Sequence, residues 1–109
     1  MKKEWVQLEE YVLEHIKELD TYAKRSPGSG NKGRKGDITT SLPIHIECKQ
    51  RDLKSCYRQE WYDKTQEEIP LHVKKIAVLI TEDNNNNKMA HISFEDFWEL
   101  FKRTQNETI

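Results

Sequence analysis

The chain has 109 residues, 35% of them apolar and 34% charged, with a formal net charge of −1 and a pI near 6.4. That length suits one domain with a single modest core, covering residues 1–109, and the gathering of apolar residues into short blocks excludes a disordered chain. The longest unbroken apolar run, Ile76 to Ile80, falls far short of the roughly 20 residues a membrane span needs, and the opening residues lead directly into an amphipathic pattern instead of a signal-peptide stretch.

The expectation is therefore a cytoplasmic protein with no membrane partner. Cys48 and Cys56 lack CxxC spacing and read as free thiols. A net charge near zero speaks against nucleic-acid binding only when the charges are evenly spread. Here Glu4, Glu9, Glu10, Glu14, Glu18 and Asp20 crowd the start, whereas residues 24–35 carry Lys24, Arg25, Lys32, Arg34 and Lys35 with no acid. Because salt screens distant charges, the local field of such a stretch attracts phosphate whatever the total.

Trp5, Leu8, Val12, Ile16 and Leu19 recur at spacings of three and four, with Val6 and Leu13 widening the stripe, which predicts an amphipathic helix over residues 3–19. Glu9 projects inside the apolar sector and Glu10 outside it. A carboxylate aimed at a core is costly unless a cation meets it. A short strand is expected at Thr21–Arg25, then a Gly/Ser/Pro/basic loop over residues 26–36. Two extended segments follow, Asp37–Thr40 and Ile44–Gln50, joined by the turn Ser41-Leu42-Pro43.

Residues 52–68 read as a helix bearing Tyr57, Trp61 and Tyr62, closed by Pro70. Lys75–Thr81 reads as a buried strand, the asparagines 84–87 as a turn, and Lys88–Ile92 as another strand. Ser93 caps a last helix whose first turn holds Glu95 and Asp96 and whose apolar face holds Phe94, Phe97, Trp98 and Phe101, a core surface or a dimer interface. The order α-β-β-β-α-β-β-α predicts an α/β fold, a mixed central sheet flanked by helices.

Side chains alternate along a strand, so Glu47 and Lys49 share one face while Ile46 and Cys48 point to the other, apolar side. A hairpin partner brings Asp37 alongside Glu47. Two acids and a lysine at one sheet edge suit a hard divalent cation and a phosphate. In phosphodiester cleavage Asp37 and Glu47, with the backbone carbonyl of Cys48, are the expected Mg²⁺ ligands. Lys49 would steady the attacking water or the pentacoordinate phosphate, and Glu9 would ligate a second metal or orient a water. By spacing alone, a plain ion-pair network remains open. The four histidines show no zinc spacing, and the loop glycines fit no nucleotide-binding motif. His45 alternates onto the Glu47 face.

The stretch RSPGSG…GDI…IECKQ, preceded by a helical glutamate, resembles the PD-(D/E)xK nuclease superfamily, and within it the archaeal-type Holliday junction resolvases and small phage endonucleases. Carried over residue by residue, the helix glutamate falls on Glu9 and the loop on Arg25, Ser26 and Ser29. The acid falls on Asp37, and the Glu-x-Lys on Glu47 and Lys49. Gly36 stands where the family has proline, and Glu10 beside Glu9 leaves the helix carboxylate open, the wheel argument favouring Glu9.

The resemblance implies a restriction-endonuclease-like core and Mg²⁺-dependent cleavage of DNA, with Mn²⁺ able to substitute and 5′-phosphate ends left. It also implies branched DNA as substrate, a homodimer making paired cuts, and DNA contacts from Lys24, Arg25, Ser26, Ser29, Lys32, Arg34, Lys35 and Gln59. The competing expectations are an endonuclease tolerant of flapped, nicked or duplex DNA, a non-catalytic DNA-binding module of the same fold, and an interaction protein with only a structural ion-pair network.

Overall fold

The first apolar stripe folds as α1 (Glu4–Ile16), whose Leu8 and Val12 are buried against the sheet. This is a computed structural model of the chain, and it describes residues 4–26, 37–50 and 59–107. The helix is shorter than the apolar spacing predicts. Leu13, His15 and Ile16 carbonyls take the amides of residues 17–20 in a closing turn, and Leu19, expected to continue the stripe, is 79% exposed. The terminal turn rotates it off the buried face.

Among the described residues the chain continues through β1 (Lys24–Arg25), β2 (Ile38–Thr39), β3 (Ile44–Gln50), α2 (Gln59–Glu67), β4 (Ile76–Glu82), β5 (Lys88–His91) and α3 (Phe94–Glu107). The fold is α/β, with one five-stranded mixed sheet in the order β1-β2-β3-β4-β5. β3 and β4 run parallel and the other neighbours antiparallel. Parallel neighbours require a long crossover, which the segment carrying α2 supplies.

The register separates two faces. Ile38, Ile44, Ile46, Cys48 and Ile80 gather under α1, while Ala77 and Leu79 meet Tyr62, Trp61 and Ile69 of the α2 segment. Glu47 pairs with Leu79 and Lys49 with Thr81, so both stand on the α2 face. Tyr62 is core, and its hydroxyl accepts the amide of Ser93 at 2.8 Å. No helix among the described residues is long and apolar enough to cross a membrane.

β2 is only two residues long, and local contacts hold it in place. The Asp20 carboxylate accepts Thr40 Oγ1 at 2.7 Å and the Ser41 amide at 2.9 Å, and its pKa is lowered chiefly by that amide. Lys75 Nζ caps the Thr40 carbonyl, and the Ile76 amide reaches the Pro43 carbonyl, which aligns β4 with β3.

Leu79 is fully enclosed between the sheet and α2. Leu79→Ala should lower the unfolding free energy by roughly 2–5 kcal/mol, the usual result of emptying such a site. Urea titration of the two proteins measures this, and a loss below about 1 kcal/mol would mean that α2 does not seal that face.

Candidate active site

Asp37 stands immediately before β2. Its amide donates to the Ile46 carbonyl at 2.8 Å, and its carbonyl accepts the Ser26 amide at 3.0 Å. Extending the Ile38–Ile46 pairing by one antiparallel step sets Asp37 opposite Glu47. The Asp37 carboxylate, 7% exposed, accepts the Cys48 amide through Oδ2 at 2.7 Å. A buried charge-assisted bond of that length fixes the carboxylate's orientation.

Glu47 lies within hydrogen-bonding reach of Asp37, and its carboxyl is pushed up to about 8. Burial is the main cause, followed by the negative charges of Asp37 and Glu68, while Lys49 pulls the other way. Asp37, Glu47 and Lys49 are thus brought together as the sequence pattern predicts. Glu68, just beyond α2, acts on Glu47 and pairs with buried His45 at 3.1 Å. Sequence reasoning did not single out Glu68. A parallel crossover brings it there, and no periodicity in the chain signals which crossover residue will land opposite β3. On the same face His91 Nε2 bonds Thr81 Oγ1 at 2.9 Å, beside Lys49, and burial lowers the His91 pKa.

Glu9 is 2% exposed, as its place on the helical wheel demands, and Glu10 is half-buried. Its partner is Arg25, whose Nε donates to Glu9 Oε1 at 2.9 Å. Among the described residues, the charges acting on Glu47 are Asp37, Glu68 and Lys49. Glu9 acts, together with Asp37 and Glu47, on the Cys48 thiol, which burial pushes far up. That thiol stays protonated, so it is a packing group, and the backbone carbonyl is the only ligand Cys48 offers.

Of the expected DNA contacts, Lys24 is exposed on β1 and Gln59 is exposed at the start of α2, its Nε2 on Asp63 at 3.0 Å. Ser26 is buried and shares a 2.8 Å hydroxyl bond with Thr39, so it braces β1 against β2. Ser29, Lys32, Arg34 and Lys35, along with Cys56 and Tyr57, lie outside the described residues.

Among the described residues no three His, Cys, Asp or Glu side chains group closely enough to hold a metal ion. Mg²⁺ asks for less, since it binds through one or two carboxylates and keeps several waters. The Asp37–Glu47 pair fits such an ion on its own evidence. Two carboxylates close enough to share a proton repel each other once both ionise, and a divalent cation removes that repulsion. Comparison with known protein families, with curated proteins and with solved structures finds no match to the chain.

Without a divalent cation, the folded chain holds a proton on Glu47 up to about pH 8, whereas the unfolded chain releases it near 4.5. Below 4.5 both states are protonated and this stabilisation is fully present. Between those values the folded state binds more protons, so stability falls as pH rises, by up to about 1.4 kcal/mol per unit. Denaturant titrations in EDTA across this window should show the decline, and Glu47→Gln should flatten it. An identical slope in the variant would place the proton elsewhere.

Proposed function

We propose that the protein is a metal-dependent endonuclease that hydrolyses DNA phosphodiester bonds, with a restriction-endonuclease-like core and a four-way junction as the favoured substrate. The observation that carries the reading is the pressing together of Asp37 and Glu47, with the Cys48 amide gripping one acid and Lys49 beside the other. Ordinary surface ion pairs do not force two acids into one buried place. That arrangement is costly by itself and useful where a cation and a phosphate are to be bound.

In this reading Asp37, Glu47 and the Cys48 carbonyl hold Mg²⁺ or Mn²⁺, which supplies a lowered water pKa and neutralises charge on the phosphate. The remaining work belongs to the chain. The Cys48 amide keeps the Asp37 carboxylate turned toward Glu47. The Lys49 ammonium, on the Glu47 face, meets the negative charge that builds on the phosphate oxygens. Glu9 anchors Arg25, so that the entry to the basic segment starts from a fixed point. Lys24, Lys32, Arg34 and Lys35 contact DNA phosphates without regard to sequence. Symmetric cutting of a junction requires two copies related by a two-fold axis.

The second reading is a DNA-binding module of the same fold that does not cut. In its favour, the described residues hold no three-membered ligand cluster, and Glu9 is directed to Arg25. Incubating the protein with four-way junctions, flaps and linear duplex, in Mg²⁺ or in EDTA, separates the two. Cleavage confined to junctions selects the resolvase, metal-dependent cutting of all three a general endonuclease, and retention without cutting the module. Asp37→Asn and Glu47→Gln should reduce cleavage to background while junction affinity stays equal or rises, and Lys49→Ala should slow it about a hundredfold or more. Full activity in either acid variant would overturn the assigned site.

A further inference from the structure

We propose that the cavity at the carboxyl ends of β3 and β4 binds an unpaired nucleobase through a wall of carboxamides. The cavity has a volume of about 470 Å³ and lies between α1, the β4–β5 turn and the ends of the two parallel strands. Open α/β sheets leave ligand crevices at the carboxyl ends of parallel strands, and this volume lies within the range of small-molecule sites. Gln50 and Glu82 alternate onto the same face as Ile46, Cys48 and Ile80, so the cavity opens on the α1 side, with buried Leu8 as its floor. Glu47 and Lys49 stand on the opposite face, and Gln50 lies about 10 Å along the strand from Glu47. The cavity is thus separate from the carboxylate pair.

The acids that line it are already engaged. Glu82 meets Lys88 at 2.9 Å, and the Lys88 ammonium lies 4.6 Å from the centre of the Tyr11 ring. Asp83 closes the turn from within: its Oδ1 accepts the amides of Asn85 and Asn87, and its Oδ2 accepts the Asn87 side chain. A metal ion or a cationic ligand would have to break these bonds. Two acids against one base leave the wall negative, which disfavours phosphate.

What the wall presents instead is carboxamide. Gln7 from α1, Gln50 from β3, and Asn84 and Asn86 from the turn each carry a donor and an acceptor in one plane. Asn86 stands at φ 64°, in the left-handed region that asparagine tolerates. The edge of a nucleobase also sets donor beside acceptor in one plane, and a carboxamide meets it with two parallel bonds, as Asn and Gln do on adenine. Sugar hydroxyls rotate to suit their partners and select no flat pair. Leu8 and the Tyr11 ring supply apolar surface for the body of the base. A base stacked and paired in duplex cannot enter such a cavity, so the ligand is an unpaired one. As a subsite for DNA the cavity rests on the endonuclease reading; as a site for a free nucleoside it does not.

Titrating the ¹⁵N-labelled chain with adenosine, guanosine, cytidine and thymidine in EDTA tests the site without phosphate or cleavage. At least one nucleoside should shift the side-chain amide signals of Gln7 and Asn84 saturably. Both residues are exposed, and the double variant Gln7→Ala with Asn84→Ala should weaken that binding about tenfold or more with circular dichroism unchanged. If the double variant unfolds, the location of the wild-type shifts decides the matter. A flap carrying 2-aminopurine at an unpaired position separates the two sources. Emission that changes on binding to the wild-type chain and not to the double variant, with an unchanged salt slope, makes the cavity a DNA subsite, and nucleoside binding without that signal makes it a site for the free compound. No saturable shift with any of the nucleosides, shifts confined to residues away from the cavity, or binding indifferent to the double variant would overturn the proposal. Nucleoside binding by a chain that cuts no DNA would leave this site standing and remove only the endonuclease reading.

Discussion

Two carboxylates meeting on adjacent strands set the terms for the rest of this structure. Asp37 and Glu47 face each other across the β2–β3 pairing, and burial with the neighbouring negative charge keeps a proton on Glu47 up to about pH 8. Such a pair persists only where the surrounding chain holds both strands firmly. β2 has two residues and little intrinsic tendency to stay in place, so its position depends on clamps at either side. Asp20 binds Thr40 and Ser41, Ser26 binds Thr39, and Asp37 uses all of its backbone polar groups on its neighbours. Polar side chains that resemble ordinary loop residues thus act as the frame of the site.

The two faces of the sheet divide the work. Beneath α1 the surface is apolar, with Leu8, Val12, Ile38 and Ile46 excluding water. Under α2 the apolar contact of Tyr62, Ala77 and Leu79 covers only part of the sheet, and the rest is left to Glu47, Lys49, His45 and Glu68. Cys48 lies between these regions, its thiol in the α1 core and its amide on Asp37. Glu9, Asp37 and Glu47 all act on that thiol, so the acids surround one short length of backbone from both sides of the sheet.

Much of this was legible in the residue pattern because it depends on local periodicity. Alternation along Ile44–Gln50 separates Glu47 and Lys49 from Ile46 and Cys48, and the wheel of the first helix marks Glu9 as the acid that turns inward. What escaped depends on long-range geometry. Glu68 reaches Glu47 through a crossover of more than twenty residues, whose landing point no spacing rule gives. Leu19 continues a three-four spacing that ends physically when the last helical turn tightens. The stripe on α3 is the instructive case, since periodicity identifies a helix with an apolar side and is indifferent to whether that side meets its own chain, and here Phe94, Phe97, Trp98 and Phe101 stay exposed.

The overall charge misleads for a related reason. A net value of −1 counts every acid alike, yet several are spent inside the fold. Glu9 is neutralised by Arg25, Glu82 by Lys88 across the β4–β5 edge, and Glu47 by its retained proton. An approaching phosphate meets only the charge that remains after this internal pairing, and burial strengthens the pairing while leaving exposed lysines to act at a distance. Arg25, counted with the basic stretch in the sequence, belongs partly to the acid it holds. Three of the acids that count in the sum are thus offset within the fold, which a net charge does not reveal, while residues 24–35 carry bases and no acid.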